Sequence, residues 1–147
     1  MQAIPINYWA VLVAAIANMV LGALWFGPLF GKLWMKLSGM TPEQIAACAT
    51  DKDAKKGMGK SYALMAVGSL VMAFVMAHAL VFASAYMKVS GVSAGFMAGF
   101  WNWLGFVAPV TMGVVLWEGK RWSYWALTYS YYLVGLSLMG VILAMWV

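Results

Sequence analysis

Six polar side chains sit inside or at the edge of runs that are almost wholly apolar: Asn18, His78, Asn102, Glu118, Tyr129 and Tyr132. In hydrocarbon an ionisable or amide group is costly unless paired, so each is a candidate for chemistry with a structural rival. His78 is the only histidine. An imidazole can hold a metal or a haem or relay a proton, yet a bis-histidine haem would need a second copy of the chain, and the thirteen methionines show no diagnostic spacing for a Met ligand. The rival reading is a hydrogen-bonded packing histidine. Asn18 and Asn102 either bridge helices through amide hydrogen bonds, worth roughly 1 kcal/mol or less in lipid, or line a polar path. Glu118 lies between Trp117 and the Lys120-Arg121 pair, which suits an interfacial ion pair or, as its rival, a gate or proton acceptor. Tyr129, Tyr131 and Tyr132 crowd one stretch. Buried phenols need partners, which the asparagines and His78 would supply; at shallower depth they would meet lipid headgroups.

Little in the sequence supports reaction chemistry. No paired carboxylates fall in the apolar runs, no Cys/His cluster has metal-ligand spacing, and the glycines lack the context of a phosphate cradle. The sole cysteine, Cys48, cannot close an internal disulfide, and a free thiol is set against a reactive or metal-binding one. The expectation is a chain without catalytic residues, metal or cofactor.

The elements that must position these residues follow from composition. Hydrophobic residues make up 65% of the 147 and charged residues only 9%, outside the range of soluble domains. From Tyr8 to Phe30 there is no formal charge over 23 residues, roughly 34 Å as a helix, enough to cross a bilayer core of about 30 Å. Three more such runs follow, giving spans at about 8–30, 61–87, 94–117 and 122–146. The fold class is an all-α integral membrane protein, a single transmembrane domain of four helices. The first span lacks a preceding charged region and a small-residue cleavage site, so it is expected to remain in the mature protein.

Met1 to Ile6 reads as a short tail whose Pro5 fixes an extended entry, and Tyr8 and Trp9 suit an interfacial belt. Helix 1 carries Val11, Ala14, Ala15, Asn18 and Gly22 at three-to-four spacing, a small face on which a neighbour can approach closely. Gly27 and Pro28 loosen or end it. In helix 3, Gly91, Gly95 and Gly99 recur every four residues and predict a nearly bare face buried against another helix, while Pro109 predicts a bend. Helix 4 offers Gly135, Gly140 and Ala144. The polar loop, 31–60, contains Thr41-Pro42-Glu43-Gln44, a capping box with proline at the first helical position. This predicts a short interfacial helix from Pro42 to about Thr50. The run Asp51-Lys52-Asp53-Ala54-Lys55-Lys56 reads as a solvated loop, with partner docking as its rival.

Six lysines lie in the first loop, Lys120 and Arg121 in the third, and only Lys88 on the opposite side. Eight against one places the loops 31–60 and 118–122 in the cytoplasm and both termini outside. Retention of cationic loops accounts for the net charge of +5, and no basic stripe calls for nucleic acid. Leu24-Trp25-Phe26-Gly27 with Gly31-Lys32-Leu33-Trp34 echoes Leu116-Trp117-Glu118-Gly119 with Gly119-Lys120-Arg121-Trp122, a pattern that chance or a duplicated hairpin would produce.

The stretch from Asn7-Tyr8 through Gly22-Ala23-Leu24-Trp25-Phe26-Gly27-Pro28-Leu29-Phe30-Gly31-Lys32 resembles the small bacterial membrane proteins of domain of unknown function 1761. Phe106-Val107-Ala108-Pro109 and Trp117-Glu118-Gly119 extend the resemblance over nearly the whole chain. It implies a four-helix membrane protein and brings no activity, substrate, cofactor or catalytic residue. Three functional readings follow. The first is a bundle that self-associates or serves as an accessory subunit of a larger membrane complex, with the lipid bilayer and further subunits as partners. Second comes a small-molecule or ion transporter or channel with a path along Asn18, His78, Asn102 and Glu118. Last is a haem- or metal-binding electron-transfer subunit using His78.

Overall fold

Four apolar helices set the architecture, at Tyr8–Leu29, Lys56–Met87, Gly91–Leu116 and Trp122–Ala144, each long enough to cross a membrane. The computed structural model describes residues 6–146, without the side chains of residues 48, 49 and 52–55. The Met1 to Pro5 tail and the thiol of Cys48 lie outside the described residues.

Helix α1 (Tyr8–Leu24) opens on Asn7, whose Oδ1 accepts from the backbone N–H groups of Trp9 and Ala10 at 3.1 and 3.2 Å. Its buried face is Ala10, Val11, Ala14, Ala15 and Asn18. These small side chains let α4 (Lys52–Met87) come close, and Ala73, Met76, Ala77 and Leu80 of α4 complete that core.

After Leu24 the helix widens into a π-turn, Trp25–Leu29, with Gly27 at φ −103°, ψ −107°. Pro28 has no N–H to give, and its ring would strike the carbonyl four residues back; the wider turn accommodates both. The Phe30 N–H accordingly reaches back five residues to the Trp25 carbonyl at 2.9 Å. A short helix α2 (Gly31–Ser38), unforeseen in the sequence, follows, and then α3 (Pro42–Thr50). Both halves of the α3 capping box form: Thr41 Oγ1 accepts the Gln44 N–H at 3.3 Å and Gln44 Oε1 accepts the Thr41 N–H at 2.9 Å.

The charged run at 51–56 is not a loop, as its composition suggested, because α4 starts at Lys52 and continues for 36 residues, roughly 54 Å at 1.5 Å each. Lys and Ala are good helix formers and an acidic residue suits a first turn, so a charged run is compatible with the start of a helix. The helix therefore begins well before the expected 61.

The third span is interrupted along its length near Pro109. It runs α5 (Gly91–Asn102), a second π-turn (Trp103–Val107), α6 (Ala108–Thr111) and α7 (Gly113–Leu116). The break falls on the N-terminal side of Pro109, where a proline's missing donor and ring clash are felt. Last comes α8 (Trp122–Ala144). It is the hub of the bundle, packed by α5 on one side and by α1 and α4 on the other. Met139, in its C-terminal third, is completely buried.

Gly95 and Gly99 of α5 press on α8. A methyl group on Gly95 would collide with the Gly140 carbonyl, one on Gly140 with the Gly95 carbonyl, and one on Gly99 with Ser137 backbone. Gly91 departs from the expected face: it is exposed with φ +81° and nothing near its missing side chain, so it serves the turn into α5. The glycine face of the third span is thus consumed inside the chain.

Candidate functional site

At the heart of the bundle α1, α4 and α8 meet on a polar knot. Asn18 Nδ2 donates to Ser69 Oγ at 2.9 Å, and the Tyr131 hydroxyl donates to the Asn18 carbonyl at 3.2 Å and to its Oδ1 at 3.3 Å. All three residues are buried. Gly135 makes room for the knot, because a methyl group there would collide with Asn18 Oδ1, and Gly22 lies against the Tyr131 hydroxyl in the same way. Every polar atom of Asn18 that reaches α4 or α8 has a partner, so the amide works as a three-helix tie.

Around the knot runs a layer of rings. Phe26 meets Tyr131 edge-on at 5.2 Å, Tyr131 meets Tyr132 at 5.0 Å, and Tyr129 stacks on Tyr132 at 6.0 Å. Two tryptophans close the layer from outside α8. Trp25 Nε1 donates to the Leu127 carbonyl at 3.1 Å, and Trp103 Nε1 donates to the Tyr129 carbonyl at 2.8 Å. Each stands at the first position of a π-turn. Trp125 Nε1 donates to Thr111 Oγ1 at 3.0 Å, tying α8 to α6.

The sequence candidates do not converge. Only Asn18 enters the knot. His78 Nδ1 lies 2.8 Å from the Phe74 carbonyl on its own helix; a carbonyl can only accept, so Nδ1 carries the proton, and the ring meets Phe74 edge-on at 4.3 Å. Asn102 Nδ2 likewise donates to its own helix, to the Ala98 carbonyl at 2.8 Å, with Met76 Sδ at 4.0 Å. Glu118 is exposed beyond α7. Tyr129 and Tyr132 enter the ring layer, whereas Tyr131, weighed beside them, makes the interhelical bonds. Ser69 and the indole of Trp103 carried no distinguishing mark in the sequence.

Among the described residues no three His, Cys, Asp or Glu side chains gather as a metal-ligand set. The echo between 24–34 and 116–122 is not structural either, since Trp25 is half-buried and bonded while Trp117 is 86% exposed. The structural counterpart of Trp25-Phe26-Gly27 is Trp103-Leu104-Gly105, which opens the other π-turn.

Two clefts flank α4. One, of about 240 Å³, lies between α1 and α4 over the ring layer and is lined by Gly22, Ala23, Phe26, Tyr62, Tyr131 and Tyr132 among others. The second, of about 390 Å³, lies beside the other π-turn, where Asn102 is its polar member among Val71, Met76 and Phe106. At one end of the bundle, Lys120 Nζ donates to the Ser38 carbonyl at 3.0 Å and sits 5.6 Å from the Tyr124 ring centre, so both basic loops meet at that end.

Helical spans, an apolar surface and a buried polar tie between three of them define an integral membrane bundle of four helices. Within that class, the chain belongs to the family described as protein of unknown function (DUF1761), which matches residues 9–144. No match was found among curated proteins or solved structures.

Proposed function

We propose that this protein is a non-catalytic bacterial inner-membrane subunit that associates in the bilayer, with a second copy or within a larger complex, through the end of α4 nearest the basic loops. The observation that carries this reading is a run of glycines in α4 with nothing against them. Among the described residues, nothing beyond their own stretch of helix comes within 4 Å of where a side chain would begin at Gly57, Gly59 or Gly68. From 56 to 68 every residue but Ala66 is exposed. Glycine inside a helix costs roughly 1 kcal/mol relative to alanine, a cost with no return while the helix stands alone. The spacings Gly57 to Ser61 and Gly59 to Ala63 place small residues four apart, the pattern that allows close approach of a membrane helix. The glycines of α5 and α8 are already used within the chain, which leaves α4 as the edge.

Both basic loops face the cytoplasm in this reading, and both termini face outward. Native mass spectrometry of the protein extracted with its own lipids, without overexpression, is the test. Discrete oligomers or foreign subunits that disappear in Gly59→Leu support the reading; a lone monomer in mild detergent and in lipid discs alike overturns it.

A further inference from the structure

Hydrocarbon offers no hydrogen bonds, so irregular backbone at membrane depth is tolerated where protein covers it or where it lines a cavity with something polar inside. A Gly/Pro interruption of a membrane span is correspondingly a pointer to a binding site. The Gly27-Pro28 break is of this kind: Gly27, far from helical geometry, lines the 240 Å³ cleft between α1 and α4. The cleft has aromatic walls in Phe26, Tyr62, Tyr131 and Tyr132. The Tyr131 hydroxyl is committed to Asn18. That of Tyr132 makes no hydrogen bond among the described residues, leaving one donor unspent. Among the described residues, no charged side chain lines the cleft. A phosphate head would therefore be desolvated there without a counter-charge, at heavy cost.

We infer that this cleft binds a neutral membrane amphiphile, a flat carbonyl-bearing ring of the benzoquinone type on a hydrocarbon tail. The ring lies against Phe26, Tyr131 and Tyr132 in the offset or edge-on contacts aromatic faces favour. One ring carbonyl accepts the Tyr132 hydroxyl proton in a hydrogen bond, and the tail leaves between α1 and α4 into the lipid. Small residues at Gly22, Ala23 and Gly27 hold the α1 wall low enough to admit the ring. The inference does not rest on association through α4.

The test titrates decyl-benzoquinone into the full chain in phosphatidylcholine nanodiscs and follows quenching of tryptophan fluorescence. Wild type should saturate at one molecule per chain. Ala23→Leu, which fills the cleft from α1 away from the α4 edge, should weaken binding at least tenfold. Tyr132→Phe, which removes a hydroxyl the fold does not use, should weaken it roughly five- to tenfold. Val110→Leu, on an exposed position of α6, should leave it unchanged. Quenching that rises without saturation, or equally in Ala23→Leu, is mere partitioning and overturns the inference. So does a co-purifying phospholipid that decyl-benzoquinone fails to displace. Native mass spectrometry of Ala23→Leu keeps the two proposals apart, because its oligomeric state should stay that of wild type.

Discussion

Trp25 and Trp103 hold α8 from opposite sides, their indole N–H groups donating to carbonyls only two residues apart, Leu127 and Tyr129. At 100° per residue those carbonyls point about 200° apart around the helix. Each indole opens a π-turn next to a proline, Pro28 or Pro109, so the widened turn that absorbs a proline also supplies the side chain that grips the hub. A carbonyl has two lone pairs, and the second takes the indole without breaking the helix bond.

Each grip should be worth about 1 kcal/mol, the scale of an interhelical hydrogen bond in lipid. Replacing Trp25 or Trp103 with a benzothiophene analogue of tryptophan keeps the ring and removes the N–H. Each replacement is expected to lower stability by that amount in steric-trap or denaturant unfolding, and the pair should add, since the two rings do not touch. No loss in either single variant would mean the indoles only fill space.

Much of this architecture could be read directly. Charge-free runs mark the spans, and Thr41-Pro42-Glu43-Gln44 marks the start of α3 because capping is a local transaction within four residues. Other features depend on distant partners. Ser69 looks like any small residue in an apolar run; it matters because α1 brings Asn18 to it from 51 positions away. The π-turns were half legible: proline announces a break, but whether a helix bends, ends or widens depends on what its neighbour offers. Trp25 and Trp103 find carbonyls on α8, and that pairing has no local signature. At 51–56 charge speaks to affinity for water and not to backbone conformation, which is helical from Lys52 onward.

Acid should loosen α3. The Glu43 carboxyl is held below its ordinary range by its own backbone N–H and by the Thr41 hydroxyl. A depressed carboxylate adds stability that is full above its unfolded value and fades as pH falls through the folded one. Amide exchange at Ile45 to Ala47 should therefore quicken, relative to its intrinsic rate, as pH drops below the usual carboxylate range. Glu43→Gln should flatten that response; an unchanged profile would remove Glu43 from the cap.

The knot should be asymmetric under mutation. Asn18→Ala leaves Ser69 Oγ buried without its partner and the Tyr131 hydroxyl with the residue-18 carbonyl alone, and should cost about 2–3 kcal/mol. Tyr131→Phe removes only a donor, while Asn18 keeps Ser69, and should cost about 1 kcal/mol. Unfolding midpoints in lipid discs would rank them; equal losses would show that ring packing, and not the amide, holds the three helices together.

Glycine-to-alanine changes separate internal from external packing. At Gly95 or Gly140 the added methyl meets the other residue's carbonyl, backbone against backbone, which cannot rotate away. The helices must then part, opening voids between α5 and α8, so a loss of about 2–4 kcal/mol is expected. At Gly59 the added methyl meets nothing among the described residues. There the monomer should gain about 0.5–1 kcal/mol from helix propensity alone. If a partner helix lies against Gly59, the same methyl should weaken assembly while stabilising the isolated chain. Opposite signs for one substitution, read as monomer unfolding and as the oligomer fraction in native mass spectra, are hard to obtain from a freestanding helix. Gly59→Ala that stabilises the monomer and leaves every oligomer intact would return α4 to the lipid.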